Sequence, residues 1–136
     1  MGTLVDLSVE VKTAQAQAMA TLLNGGKVIL YAGAVPANIT APLVGGNTVL
    51  SDMPLAATAA TSVTNGTIIF NVSGAVDSSN NNNGTPTFYR SYKSDGITAV
   101  SQGTVGTTGS GESMILADMT IVQGGTLSVS SWTHVV

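Results

Sequence analysis

FYRSYKSDGITAVSQG, residues 88–103, decides how this chain is read. Successive side chains of a strand point to opposite sides, so Phe88, Arg90 and Tyr92 fall on one face while Tyr89, Ser91 and Lys93 fall on the other. Ser94-Asp95-Gly96 then supplies turn chemistry, and Ile97 to Gln102 resumes an extended pattern. This is the signature of a β-hairpin. A second hairpin is read in TIVQGGTLSVSSW, residues 120–132. There Gly124-Gly125 suits a tight primed turn, and Leu127, Val129 and Ser131 alternate with Ser128, Ser130 and Trp132.

Working outward, further strands are expected at Lys27–Tyr31, Thr48–Ser51, Thr67–Ser73 and Ser113–Met119, with the two hairpins contributing Thr87–Lys93, Ile97–Gln102 and Thr126–Val135. Asn65-Gly66, the Asn80–Gly84 run and Gly109-Ser110-Gly111 separate them with residues that tolerate tight turns. The tract from Ser78 to Pro86, with four consecutive Asn, is expected to be an exposed loop, since so polar a segment has little apolar area to bury. Pro54 to Asn65 has no strong period and reads either as a small-residue strand or as an extended arm on a partner.

Only the N-terminal part carries a helical period. Leu4, Leu7, Val11, Ala14, Ala18 and Leu22 recur every three or four residues, with Ser8 or Asp6 available as cap and Asn24-Gly25-Gly26 as stop. A helix is therefore expected over about residues 8–23, and strands from residue 27 onward. The chain of 136 residues reads as one domain, 1–136, mainly β: a single jelly-roll-like β-sandwich with one N-terminal helix, placed over an end of the sandwich or against a neighbour.

Composition narrows the function. Four Lys and Arg against seven Asp and Glu leave no basic stripe for phosphates, so nucleic acid is not an expected partner. Apolar stretches are a few residues long, far short of the ~20 that span a bilayer, and no membrane association is expected. The opening MGTLVDLSVEVK shows no secretory pattern, and Asp6 stands where a myristoylation signal wants Ser or Thr. With no cysteine and 8% charged residues, the surface is poorly guarded against association, which favours a protein that works in an assembly.

Reactive constellations are not evident. His134 is the single histidine, the carboxylates are far apart in sequence, and Asp77-Ser78-Ser79-Asn80 is too sparse for a calcium loop. Gly103–Gly111 lacks the Gly-Lys-Ser/Thr ending of a phosphate loop and reads as a mobile hairpin loop. The four N-x-S/T sequons, at Asn38, Asn65, Asn71 and Asn83, are expected by chance in so Asn- and Thr-rich a chain. No catalytic residue, cofactor or metal is assigned, and an enzyme is not expected.

From about residue 14 to the end, the chain resembles a family of short structural proteins of tailed bacteriophages. The resemblance is carried by the helix end Ala18–Gly26, the segment Tyr31–Pro36, and Gly84-Thr85-Pro86-Thr87-Phe88-Tyr89-Arg90. The Asp95-Gly96 turn, Gly103–Gly106, and the closing Gly124–Thr133 complete it. It implies a capsid cement or decoration protein on the outside of the virion, made in the bacterial host cytoplasm. Such a protein would bridge major capsid proteins and associate with itself as a homodimer or homotrimer. Contacts are expected from Leu4, Leu7 and Val11 on the helix and from Trp132 and His134. The alternative is a tail or fibre protein that binds a receptor glycan through Tyr89, Arg90, Tyr92 and the Asn80–Gly84 loop. A small virion depolymerase would instead require two carboxylates to converge.

Overall fold

The computed structural model describes residues 6–43 and 46–135. Its elements in chain order are α1 (Val9–Leu22), β1 (Lys27–Tyr31), β2 (Val49–Pro54), β3 (Ala60–Thr64), β4 (Thr67–Phe70), β5 (Val76–Asp77), β6 (Phe88–Tyr92), β7 (Ala99–Gly106), β8 (Met114–Leu116) and β9 (Leu127–Val135). The fold is mainly β with one helix, and its strands follow one hydrogen-bonded path, β2-β1-β6-β7-β8-β9-β4-β3, with β5 attached to β9. All pairings are antiparallel except β7 with β8. The sheet curls into a half-barrel.

The curl is tied across its opening. β5 pairs with β9 through Val76↔Ser128 and Asp77↔Leu127, while Asp77 Oδ2 accepts from Ser51 Oγ at 3.1 Å and from the Asp52 backbone N–H at 3.0 Å. Asn81 N–H then donates to Leu50 C=O and Asn82 Nδ2 to Val49 C=O, so the Asn-rich tract covers the outer edge of β2. It is not simply an exposed loop. Asn80 is 4% exposed, and its backbone and side chain bond Gly125, Gly124 and Val122. The amides supply in hydrogen bonds what the tract lacks in apolar area.

The concave side holds the main core, with Leu23, Leu30, Leu50, Ile68, Tyr89 and Trp132 among its buried members. On the convex side a second cluster forms from Ile29, Tyr31, Phe88 and Tyr92. The alternation read in residues 88–93 thus separates two apolar environments, since every residue of β6 is buried. β6 and β7 form the expected hairpin, displaced at the turn: β7 begins at Ala99, leaving Ile97 82% exposed. β7 also runs on to Gly106, so Gly103–Gly106 is strand where a mobile loop was expected.

The second expected hairpin does not form a ladder. Ile121 bridges to Gly84, and β9 pairs with β8, β4 and β5 instead. Gly125 N–H closes a turn onto Val122 C=O, but only Gly124 of its two central residues has positive φ, so the turn is not of the primed type that hairpins favour. Pro54–Asn65, for which strand and arm were both open, contains β3. It is joined to β4 across Asn65 and Gly66, whose φ values of 49° and 78° suit a primed two-residue turn.

α1 starts where Ser8 accepts from the Val11 N–H, and it lies against β3 and β4, with Thr13 Oγ1 accepting from Asn65 N–H. At its end Gly26 is required by space, because a Cβ there would stand 2.1 Å from the Tyr92 carbonyl oxygen.

Candidate functional site

The helix seats itself through Ala16, Ala20 and the capping residue Leu23, all buried. At about 100° per residue these three share one side, and the stripe of Val11, Ala14, Ala18 and Leu22 lies on the other. That stripe faces outward: Val11 is 42% and Leu22 48% exposed, and Ala14 and Ala18 are exposed. Leu7, just before the cap, is half-buried, and Leu4 lies outside the described residues. The 3–4 spacing that announces the helix therefore belongs to the face that the domain does not use. Small alanines mark the buried face, a signal too weak to have selected it in advance.

Trp132 and His134 behave differently from the expected contact pair. Register passes from Leu116↔Val129 to Ile115↔Ser131, leaving Ser130 as an extra residue in β9. This bulge reverses the side-chain alternation, so Trp132 joins Leu127 and Val129 on the concave side. It is 1% exposed, stacks on Phe70 at 3.8 Å between ring centroids, and donates from Nε1 to Tyr89 Oη at 3.1 Å. Trp132 is a core residue and presents no surface for a partner. His134, opposite Ile68 on the same side, is half-buried, and desolvation lowers its pKa below the usual imidazole value.

The aromatic and cationic residues suggested for a glycan are also inside. Tyr89, Arg90 and Tyr92 are 1%, 6% and 8% exposed. Arg90 Nε donates to Gln102, and its Nη2 donates to the Ala41 carbonyl at 2.7 Å and the Asn38 carbonyl at 3.4 Å. Gln102 in turn donates to the Pro36 carbonyl. Arg90 thus fastens the segment after β1 across the convex face of the sheet. Beneath it Tyr31 and Tyr92 share a hydroxyl contact of 2.7 Å, and burial, reinforced by that contact, pushes the Tyr31 phenol well above its ordinary value. The isolated Arg within an otherwise apolar strand face was the available signal for this strap.

No three His, Cys, Asp or Glu side chains gather as metal ligands among the described residues. Lys27–Asp52, at 3.2 Å and partly exposed, is the one ion pair among them. A shallow groove of about 190 Å³ runs between α1 and β3, lined by Gln17, Ala20, Asn24, Thr61 and Val63 without an ionisable group. No helix among the described residues is long and apolar enough to cross a membrane. The arrangement offers surfaces for contact, with the outer face of α1 the most distinct. Neither the known family models, nor the curated proteins, nor the solved structures contain a match to this chain.

Proposed function

We propose that this chain is a non-enzymatic structural protein of a tailed bacteriophage, a cement or decoration protein that binds the outside of the capsid and stabilises it by bridging major capsid proteins. The observation that carries this reading is the character of the surface. Ten large apolar side chains are exposed among the described residues, against eleven charged residues in the whole chain. A protein that spends its life alone in solution normally sets many more charges around its exposed apolar groups. Assembly on a shell removes that apolar area from water, and repetition over many sites converts modest individual contacts into firm binding.

The resemblance adds the phage context, and its segments serve the fold: Gly26 lies against the Tyr92 carbonyl, Arg90 fastens the strap, and the Gly124–Thr133 segment carries the bulge that turns Trp132 inward. In this reading the jelly-roll-like sandwich implied by the resemblance corresponds to the two limbs of the curled sheet facing each other across the main core. The tail-fibre alternative loses the aromatic residues that would have stacked on a sugar, because they are buried.

Co-sedimentation of the purified protein with capsids lacking it, expanded and unexpanded, tests the proposal. Saturable binding with greater resistance of the shell to heat is the expected result. Absence of binding to both shells would reject the capsid role.

A further inference from the structure

We propose that Asn65 is a site of self-modification, where the side chain cyclises onto the Gly66 backbone nitrogen, loses ammonia and reopens as aspartate or isoaspartate. The inference stands apart from the capsid reading and survives or fails without it.

The chain contains three Asn-Gly pairs, Asn24-Gly25, Asn65-Gly66 and Asn83-Gly84. A glycine after asparagine presents an unhindered backbone nitrogen to the side-chain amide, so by sequence the three rank equally. The structure separates them. Gly25 N–H donates to Ala56 C=O at 2.9 Å, and Asn24 Oδ1 accepts from Ala59 N–H at 2.9 Å. Gly84 N–H donates to Ile121 C=O at 3.0 Å, and Asn83 Oδ1 accepts from Gln123 N–H at 2.7 Å. In both pairs the nucleophile and the amide it must attack are tied to other segments, so cyclisation first has to break those hydrogen bonds. Asn65 is exposed, and among the described residues neither its side-chain amide nor the Gly66 N–H has a hydrogen-bond partner.

The backbone of the turn favours the same position. Ring closure swings the Gly66 nitrogen toward the Asn65 side chain, at a ψ of about −120° for Asn65, which with positive φ is the first central position of a type II′ turn. Asn65 already has a φ of 49°. Rotation of the Asn65–Gly66 peptide therefore exchanges the two primed turns, both of which keep Thr64 and Thr67 paired, and Gly66 tolerates the change of its own φ.

In the reaction, the Gly66 nitrogen gives its proton to hydroxide and attacks Asn65 Cγ. The N–Cγ bond forms, the Cγ–Nδ2 bond breaks, and Nδ2 leaves as ammonia with a proton from water. Water then opens the succinimide, giving aspartate by cleavage at Cγ or isoaspartate by cleavage at the main-chain carbonyl. Either product makes the net charge of −3 more negative. Isoaspartate also adds a methylene to the main chain of a two-residue turn whose Asn65 N–H donates to Thr13 Oγ1 of α1 at 3.0 Å. Modification therefore loosens the turn and the seat of the helix together. Gly66 is itself buried, so the folded chain reacts more slowly than the unfolded one, at a rate that follows opening of the turn.

The test is incubation of the full chain in mildly alkaline buffer, folded and in urea, with peptide mapping by mass spectrometry that distinguishes isoaspartate. In urea the three pairs are expected to react within about threefold of one another. In the folded protein Asn65 is expected to react at least about tenfold faster than Asn24 and Asn83. Asn65→Gln, whose longer side chain closes a larger ring far more slowly, should abolish the first product, with fluorescence of the buried Trp132 showing that the variant folds. Aged wild type should exchange amide hydrogens faster from Thr64 to Thr67 and in the first turns of α1, with β6 and β7 unchanged. Reaction at Asn24 or Asn83 as fast as at Asn65 in the folded protein, or the same preference for Asn65 in urea, overturns the proposal. So does a folded chain that forms no product at Asn65 while the unfolded chain reacts, and unchanged exchange in the aged protein overturns the loosening.

Discussion

Trp132 shows how much one side chain settles here. Its indole N–H donates to Tyr89 Oη at 3.1 Å, the same hydroxyl meets Ser113 Oγ at 3.0 Å, and the two rings lie edge to face at 5.3 Å. Tyr89→Phe keeps the packing and strands a buried indole donor, a loss of about 1–3 kcal/mol. We expect the urea midpoint to fall with an unchanged slope, and an unchanged midpoint would show that the hydroxyl contributes nothing net. His134 yields a second prediction at this scale. Desolvation holds its folded pKa below the 6.5 of the free side chain. The unfolded chain therefore takes up a proton first, and stability present above pH 6.5 declines as pH falls through the interval down to the folded value. Asp95, kept near a pKa of about 2 chiefly by the Thr98 hydroxyl and then by the Thr98 and Ile97 N–H groups, stays ionised throughout that interval. Comparing urea midpoints at about pH 7.5 and 5 should show a drop in the wild type that is smaller in His134→Gln.

At the scale of elements, β9 rests on a single extra residue. Deleting Ser130 would remove the extra residue and leave Val129, Ser131 and Trp132 opposite Leu116, Ile115 and Met114 in strict alternation, with Trp132 still against Phe70, whereas one residue inserted between Ser131 and Trp132 would turn the indole toward solvent or force the strand out of register with β8 and β4. We expect the insertion to abolish cooperative unfolding and expose the tryptophan to quenchers, the deletion to keep it shielded, and Ser130→Ala to stay close to wild type. The bulge explains where reading the sequence stopped. The alternation in 88–93 was legible because β6 lies between two apolar environments and its register stays regular from Phe88 to Ser91. The same reasoning applied to β9 put Trp132 on the wrong side, because a bulge is set by the neighbouring strands and leaves no mark in the residue types. α1 was legible as a helix from its spacing and its Ser8 cap, but its seated face was not. Ala16 and Ala20 seat the helix together with the capping Leu23, while the larger Val11 and Leu22 stay on the outer face, so packing overrode hydrophobicity. β3 and β5 were missed or left open because short strands of Ala, Thr, Ser and Val acquire their identity from β4 and β9.

Over the whole molecule, the half-barrel depends on how its limbs are joined, and the joint is a carboxylate. Asp77 follows Val76 into a two-residue strand on β9, then accepts from Ser51 Oγ, from Asp52 N–H on β2 and, through Oδ1, from Ser79 N–H at 2.9 Å. One side chain thus connects strands at distant points of the sheet path and sets the start of the Asn tract that covers β2. Asp77→Ala removes all three acceptor contacts and leaves the Asp52 amide facing the gap, which at 1.5–3 kcal/mol for a hydrogen bond to a charged group predicts a loss of about 3 kcal/mol once water recovers part of it. The distinguishing consequence is spatial. Amide exchange should rise first at Leu50–Asp52 and along Asn80–Asn82, while the β6–β7 hairpin, whose hydrogen bonds do not pass through Asp77, keeps its protection until global unfolding. Asp77→Asn retains one carbonyl oxygen and should fall between the two. Equal acceleration throughout the sheet would mean that the curl is held by its core alone. Protection lost only along β2 would place the weakest point of the fold at this joint.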